Sequence, residues 1–298
     1  MSSEVRHLLD IADLSDADIA RVLDGPDPGK RLASTTVIGL LFLEASLRTR
    51  FGFASAAVRL GAHPLSVTEL RYGAEMSAAE TFADTLRGVA GMAELVIVRP
   101  GFRLDRKLIR ETIPCPVING GDRGGGHPTQ ALIDLAAMQR FAGQVDQLTV
   151  GICGDMTMRA SISLLELLCR RPPRSLRLIG PSQRLRHGVD LGAELQDRTT
   201  TTDVVDFSDL DVLLITGLAP GPGGELPDAT RRPYSLNADS IRSLPDRAVV
   251  LSPMPVIDEI SDEVRTDARL RIHDHSDLGV TVRMAVLQLL LVDRLGRD

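Results

Sequence analysis

A short run of hydroxyl and guanidinium side chains follows an apolar segment near the start of the chain. Residues 36–43 form an apolar run of strand length, and apolar residues recur at helical spacing over 51–60. Ser46, Arg48 and Thr49 therefore lie where a strand feeds a helix. A helix N-terminus attracts anions through its free N–H groups, and the planar guanidinium of arginine matches phosphate oxygens. This stretch predicts an anion site, with a solvated arginine-rich helix start as the alternative.

Other groups that can hold an anion or a carboxylate follow the later predicted strands. They are Arg99, His127, Gln130 and Arg159. In doubly wound sheets, ligands bind beyond the carboxyl ends of the strands, so these loops can converge on one pocket. Each group also has a purely structural explanation, such as a solvated strand end for Arg99 or a helix cap for His127. The glycine-rich run 120–126 lacks the spacing of a dinucleotide site, and no His/Cys cluster has metal-ligand spacing.

Composition limits the class of protein. The chain has 298 residues, of which 43% are hydrophobic and 25% charged, with a mean hydropathy of +0.04. That length is sufficient for two domains with separate cores. The net charge of -6 argues against a partner such as nucleic acid or a membrane surface. We expect no apolar run of transmembrane length and no signal peptide, and interpret the three cysteines as reduced thiols of a cytoplasmic protein.

Strands alternate with helices along the chain, which predicts α/β domains with parallel sheets. Ser15 is predicted to cap an amphipathic helix, and Ser77 a helix over 78–86 in which Glu80 closes a capping box. The predicted fold class is α/β, with two doubly wound parallel-sheet domains bridged by N- and C-terminal helices. The predicted domains are 1–142, completed by a helix over 280–298, and 143–279.

Six groups of motif residues carry a family resemblance when they are taken together. They are Phe42-x-Glu44-x-Ser46-x-Arg48-Thr49-Arg50, Val98-Arg99-Pro100, His127-Pro128-Thr129-Gln130-Ala131-Leu132, Gly154-Asp155 with Arg159, Ser252-Pro253-Met254-Pro255 with Asp258-Glu259-Ile260, and Gly279-Val280 with Val282-Arg283-Met284-Ala285-Val286-Leu287. In this order they resemble the carbamoyltransferases, the aspartate carbamoyltransferase branch in particular. The resemblance implies transfer of a carbamoyl group from carbamoyl phosphate to an amine without a cofactor. It also implies a homotrimer with active sites between subunits.

The resemblance implies that one group of residues handles carbamoyl phosphate. Ser46, Arg48 and Thr49 would cradle the phosphate, with Arg99 beside it. Thr49, Arg99 and His127 would polarise the carbamoyl carbonyl. Attack by a neutral amine requires no protein nucleophile, but it does require positioning, donors aimed at the oxyanion and charge to stabilise the departing phosphate.

A second group would complete substrate binding. By the same resemblance, Gln130 would hold the carbamoyl amide and Arg159 would grip an acceptor carboxylate. Pro253 and Met254 would also contact the substrate. The implied catalytic residues are Arg48, Thr49, Arg99, His127 and Gln130, and the substrate-binding residues are these five with Ser46, Arg159, Pro253 and Met254.

The chain departs from the family pattern at residues that would handle aspartate. A family lysine that reaches into the neighbouring subunit's site corresponds to Ala78, and a serine that works with it corresponds to Ala74. Arg71 is a candidate replacement for that lysine. The arginine and glutamine that clamp the second carboxylate of aspartate correspond to Gly217 and Ala219. The remaining departures are Leu47, in place of threonine, and Ser252, in place of histidine.

Two interpretations of this pattern remain open. Burying a carboxylate without its arginine partner is costly, so aspartate should bind poorly. The first interpretation is an enzyme that carbamoylates an amine or amino acid other than aspartate. The second is a non-catalytic homologue that binds an anion or a partner. The retained catalytic set, His127 and Gln130 in particular, favours the enzyme.

Overall fold

The chain folds into two compact units that each contain a parallel sheet. The computed structural model describes residues 5–67, 80–186, 188–218 and 226–295. The first unit consists of Met1–Thr129 and Gly279–Asp298, and the second of Gln130–Leu278. Both sheets are wholly parallel, which confirms the predicted α/β class with two parallel-sheet units.

The division between the units falls at the beginning of a helix, Pro128–Phe141, which belongs from Gln130 onward to the second unit. The boundary predicted after residue 142 lies at the other end of this helix.

The first sheet has the strand order β2-β1-β3-β4. Its strands are β1 (Val37–Phe42), β2 (His63–Val67), β3 (Leu95–Arg99) and β4 (Val117–Asn119). All of β3 and nearly all of β1 are buried, which explains why both appear in the sequence as continuous apolar runs. The chain passes from β1 to β2 on one side and returns to place β3 on the other. The topological switch point, where ligands bind in such sheets, therefore lies between β1 and β3, where Phe42 and Arg99 are register partners.

The helices of the first unit confirm one predicted cap and correct the predicted start of another helix. They are α1 (Asp16–Asp24), α2 (Leu47–Leu60), α3 (Phe82–Ala90) and α4 (Arg106–Thr112). Ser15 caps α1, accepting a hydrogen bond from the Asp18 N–H at 3.2 Å. The predicted start at 78 with Glu80 in a capping box is wrong, because Thr81 caps α3 and accepts from the Asp84 N–H at 3.2 Å. Ser77 lies outside the described residues.

The second sheet has the strand order β7-β6-β5-β8-β9. Its strands are β5 (Thr149–Gly154), β6 (Ser175–Ile179), β7 (Thr199–Thr202), β8 (Val212–Gly217) and β9 (Val249–Leu251). The switch point of this sheet lies between β5 and β8. Strand β7 is a run of four threonines at the sheet edge, partly exposed, and it has no apolar run by which it could have been predicted. Its β-branched side chains nonetheless suit a strand.

The helices of the second unit vary widely in length. They are α5 (Pro128–Phe141), α6 (Arg159–Arg170), α7 (Gly192–Asp197), α8 (Asp228–Arg231) and α9 (Ser240–Ser243). Helix α6 follows the switch-point strand β5 after a four-residue loop, and Arg159 is its first residue.

The last helix, α10 (Ile272–Leu295), begins in the second unit and continues into the first. By length and composition, its stretch Ile272–Val292 would be sufficient to cross a membrane, contrary to our expectation from the sequence. However, 61% of that apolar stretch is buried inside the protein, as in a core helix.

Candidate active site

The end of β1 leads into an open helix N-terminus at the switch point of the first sheet. Ser46 is the N-cap residue of α2, and within the described part of the chain its side chain makes no capping hydrogen bond. Arg48 lies partly exposed in the first turn, and Thr49 is buried. The first-turn N–H groups and these side chains together form the type of site that binds phosphate.

Thr49 and His127 meet although 78 residues separate them in the chain. The Thr49 Oγ1 lies 3.5 Å from the His127 Nε2, and the Thr129 Oγ1 lies 3.4 Å from the His127 Nδ1. The imidazole is buried. A separation of 3.5 Å is at the outer limit of a hydrogen bond.

Arg99 is held in place by two acceptors. Its Nη1 donates to the Gly120 carbonyl at 3.0 Å, and its Nη2 donates to the Glu44 Oε1 at 2.8 Å. Glu44 belongs to the same motif as Arg48, so the segment after β1 contains both an arginine that is predicted to bind an anion and the carboxylate that orients Arg99. The Arg99 side chain is buried, and charge-assisted bonds of this kind are the strong ones.

A glycine brings Arg99 and His127 to the same place. Gly121 has a φ of +105°, and a Cβ there would lie 2.7 Å from the Arg99 Nη1 and 3.0 Å from the His127 Cδ2. Only a residue without a side chain allows both groups to pack against this backbone. The structure thus brings Thr49, Arg99 and His127 together, as the sequence predicted for loops that follow the strands. The roles of these three residues stay predictions.

The glycine-rich run 120–126 is folded around a carboxylate. Asp122 is fully buried, and its oxygens accept from the Gly126 N–H at 2.7 Å and the Leu104 N–H at 3.0 Å. A Cβ on Gly125 would lie 2.2 Å from the same carboxylate. A loop whose N–H groups already bind a carboxylate does not cradle a phosphate, in line with its lack of a nucleotide-binding pattern.

Arg283, a motif residue of α10, packs behind the helix that carries Arg48 and Thr49. Its guanidinium lies 5.4 Å from the centroid of the Phe53 ring, and a Cβ on Gly52 would lie 2.5 Å from its Nη1. Burial lowers the pKa of Arg283 to about 10, so the side chain is still cationic at neutral pH. A positive charge against this helix adds to the field that favours an anion.

In the second unit, the loops after β5 and β8 meet at the switch point. The Asp155 N–H donates to the Gly217 carbonyl at 3.0 Å, and the Asp155 carboxylate accepts from the Thr157 N–H at 2.8 Å. Asp155 also lies 3.6 Å from the buried guanidinium of Arg184. These contacts fix the loop that leads to Arg159, which is partly exposed at the start of α6.

Gln130 is joined to a network that the sequence did not reveal. Its Nε2 donates to the Asp134 Oδ1 at 2.7 Å, and the same oxygen lies 2.8 Å from the His275 Nε2. Pro253 and Met254 follow β9 and are partly buried, with Met254 packed against the core of the second unit. The periodic spacing of Gln130 and Asp134 on α5 was the only available signal, because His275 lies 141 residues from Asp134.

The family's aspartate-clamping arginine corresponds to Gly217, and the structure places a carboxylate there. Gly217 has a φ of +71°, and a Cβ would lie 3.3 Å from the Glu259 carboxylate. The adjoining cavity has a volume of about 560 Å³. Its charged lining residues are Asp228, Arg231, Arg232, Asp258, Glu259 and Glu263.

Two further departures from the family pattern lie at the start of α2 and just after β9. Leu47, in place of a family threonine, is 70% exposed at the first residue of α2. Ser252, in place of a histidine, is buried at the end of β9. Ala74, Ala78, Ala219 and Arg71 lie outside the described residues.

Two parallel sheets with polar groups beyond both switch points define a two-unit α/β protein built to bind small ligands at the carboxyl ends of its strands. Residues 6–140 match the family model described as aspartate/ornithine carbamoyltransferase, carbamoyl-P binding domain. The chain is 36% identical over 264 residues to an aspartate carbamoyltransferase catalytic subunit of Staphylothermus marinus, covering 86% of this chain and 84% of that one. It is 32% identical over 303 residues to one of Haloquadratum walsbyi, covering 96% and 97%.

Solved structures agree with the sequence relatives. The aspartate transcarbamoylase of Trypanosoma cruzi in complex with aspartate and phosphate superimposes with a TM-score of 0.80 at 25% identity, covering 95% of this chain and 94% of that one. The catalytic subunit of the M. jannaschii enzyme shares the fold, with a TM-score of 0.82 and coverage of 98% and 100%. The chain belongs to the aspartate/ornithine carbamoyltransferase family, and it is a carbamoyltransferase.

Proposed function

We propose that this enzyme transfers the carbamoyl group of carbamoyl phosphate to an amine or amino acid and uses aspartate poorly. The proposal that aspartate is a poor substrate rests on the surface around Gly217. Where the family pattern has an arginine for a second carboxylate, this chain has a glycine that faces the Glu259 carboxylate.

The first unit supplies the groups for the carbamoyl donor. Ser46, Arg48 and the N–H groups of α2 bind the phosphate and stabilise it as it leaves. Thr49, Arg99 and His127 donate to the carbamoyl oxygen as the amine attacks and negative charge develops there. Because other contacts already hold these donors, little reorganisation is required during the reaction.

The second unit supplies groups for the carbamoyl amide and the acceptor. Gln130 accepts a hydrogen bond from the amide of the donor, and Arg159 binds one carboxylate of the acceptor. The backbone around Pro253 and Met254 completes substrate binding. These roles follow the family pattern residue by residue, and the partial exposure of Gln130 and Arg159 supports them.

The charges in the cavity beside Gly217 disfavour a second carboxylate. Four carboxylates and two guanidinium groups line it. Arg231 is already engaged, since it pairs with Asp228 at 2.6 Å and with Asp258 at 2.5 Å. A dicarboxylate placed here would face like charges, which destabilises its binding.

The direct test is release of phosphate from carbamoyl phosphate with a panel of amines that includes aspartate and monocarboxylate amino acids. We expect kcat/KM to be at least about tenfold lower for aspartate than for the best acceptor, as for a charged group without a partner. In the His127→Ala variant we expect a loss of about 100-fold with every acceptor. If no amine gives phosphate release with the unmodified protein above that of the His127→Ala variant, the non-catalytic interpretation is correct. If aspartate is the best acceptor, the proposed selectivity is wrong.

We also propose that the enzyme acts as a cytoplasmic homotrimer, without nucleic-acid or membrane partners. An apolar stripe on α2 supports self-association. Leu47, Phe51 and Val58 lie on one face at spacings of four and seven residues and are 61–71% exposed. Several exposed apolar side chains on one helix face are typical of a protein interface.

A further inference from the structure

We infer that His275 is a positioning residue that orients the side-chain amide of Gln130 through Asp134, an inference that rests on the proposed role of Gln130. His275 lies in the first turn of α10 and is 1% exposed. Its Nε2 is 2.8 Å from the Asp134 Oδ1, and its Nδ1 is 3.0 Å from the Ser252 carbonyl oxygen. The imidazole therefore bridges α5 and the segment that follows β9.

Both ring nitrogens of His275 face hydrogen-bond acceptors. A backbone carbonyl has no hydrogen to donate, and the Asp134 Oδ1 already accepts a hydrogen bond from Gln130. We assign a hydrogen to Nε2, so that the imidazole donates to the Asp134 carboxylate. Both side chains are buried, and the two hydrogen bonds at the Asp134 Oδ1 offset part of the cost of desolvation.

The Asp134 carboxylate decides which end of the Gln130 amide faces the ligand. An ionised carboxylate only accepts, so the Gln130 Nε2 must point toward it. The Gln130 Oε1 is left to face outward as an acceptor. If the amide were reversed, two oxygens would oppose each other and the outward group would be a donor. Both His275 and the Gln130 N–H thus donate to the same Asp134 carboxylate, which fixes the orientation of the Gln130 amide.

The outward oxygen of Gln130 selects a donor substrate that carries an amide. The NH2 group of carbamoyl phosphate donates to an oxygen, whereas the methyl group of acetyl phosphate does not. An enzyme with Gln130 correctly oriented discriminates between these two acyl phosphates. We infer that His275 maintains this discrimination, although it does not touch the substrate.

Two substitutions separate the two hydrogen bonds of the imidazole. In His275→Gln, the amide nitrogen takes the place of Nε2 and keeps the bond to Asp134. In His275→Asn, the amide nitrogen takes the place of Nδ1 and keeps only the bond to Ser252. The measured quantity is the inhibition constant of acetyl phosphate divided by the KM of carbamoyl phosphate. We expect this ratio to fall about tenfold in His275→Asn and less than about threefold in His275→Gln, as for the loss of one hydrogen bond to a charged group.

Gln130→Ala distinguishes failure of this inference from failure of the proposed role of Gln130. If His275 acts through Gln130, adding His275→Asn to Gln130→Ala changes the ratio no further. If Gln130→Ala leaves the ratio unchanged, the proposed role of Gln130 is wrong. If Gln130→Ala lowers the ratio but His275→Asn does not, the role of His275 is wrong while that of Gln130 stands.

A spectroscopic measurement on the unmodified enzyme tests the hydrogen on Nε2 directly. In protein labelled with 15N-histidine, the Nε2 of His275 should give a signal coupled to hydrogen, assigned by its loss in His275→Gln. An Nε2 without hydrogen would overturn the proposed donation to Asp134. This measurement does not depend on whether the His275→Asn variant folds.

Discussion

Single residues decide how closely the cationic groups of the first unit approach one another. Gly121 is the clearest case, because Arg99 and His127 both pack against its backbone. The same loop contains Gly124, which also has a positive φ, of +70°, but no described atom lies within 4 Å of its Cβ position. Alanine at either position strains the backbone, but only at Gly121 would it also displace Arg99 and His127. Comparing the two substitutions therefore separates these two effects.

We predict that Gly121→Ala lowers kcat/KM for carbamoyl phosphate by at least about tenfold, because the new methyl group displaces an oxyanion donor. Gly124→Ala should keep its activity and lose only about 1 kcal/mol of the free energy of unfolding, the cost of a left-handed conformation for a residue with a side chain. Steady-state kinetics and urea unfolding of both variants are the measurements. Equal activity in the two variants would contradict the proposed position of Arg99 and His127.

At the scale of elements, the N-terminal segment depends on an uncharged histidine beside β4. The Val117 N–H donates to the His7 Nδ1 at 3.2 Å, and Leu8 forms a parallel bridge with Ile118. Burial lowers the pKa of His7 from its ordinary value of 6.5, with Asp13 opposing the change and Arg110 adding to it. The folded chain therefore prefers the neutral imidazole, which can accept the hydrogen bond.

The stability of this element should depend on pH. Well above pH 6.5, His7 is neutral in both the folded and the unfolded state and contributes no pH dependence. As the pH falls below 6.5 the unfolded chain binds the proton first, so the free energy of unfolding decreases, by on the order of 1 kcal/mol per pH unit until the folded state also binds it. His7→Asn, whose side-chain oxygen can accept the same bond, should remove this part of the decrease.

Urea unfolding at pH 7.5 and 5.5 measures the effect, and His63→Asn, at an exposed histidine, serves as the control. The prediction is wrong if His7→Asn and His63→Asn lose equal stability between the two pH values.

At the scale of the whole molecule, the apolar stripe on α2 begins in the same helix turn as Arg48 and Thr49. If copies of the chain associate through Leu47, Phe51 and Val58, assembly and the anion site are coupled through one helix. The family resemblance, which implies active sites between subunits, gives the same expectation.

We predict that Phe51→Ser shifts the enzyme from trimer to monomer at micromolar concentration and lowers its activity, because the largest side chain of the stripe is removed. Ile257→Ser is the matched control, since Ile257 is also an exposed apolar residue but belongs to the second unit. Light scattering coupled to size exclusion measures the mass of each variant. An unchanged mass in Phe51→Ser would show that α2 does not form the interface.

The amino-acid sequence by itself determined the strands with apolar runs, the parallel α/β class, the motifs at the strand ends and the family. The strands, the class and the motif positions follow from local composition and spacing, which short segments carry without their neighbours, and the family follows from the resemblance of the motifs. It did not reveal β7, whose threonines form no apolar run, or the start of α3 at Phe82.

Only the tertiary structure decided which distant groups meet. Packing of α10 brings His275 to Asp134, and the left-handed backbone of Gly121 brings Arg99 to His127. It also placed the Glu259 carboxylate beside Gly217. Contacts between residues far apart in the chain depend on how the elements pack, and no local pattern in the sequence encodes that packing.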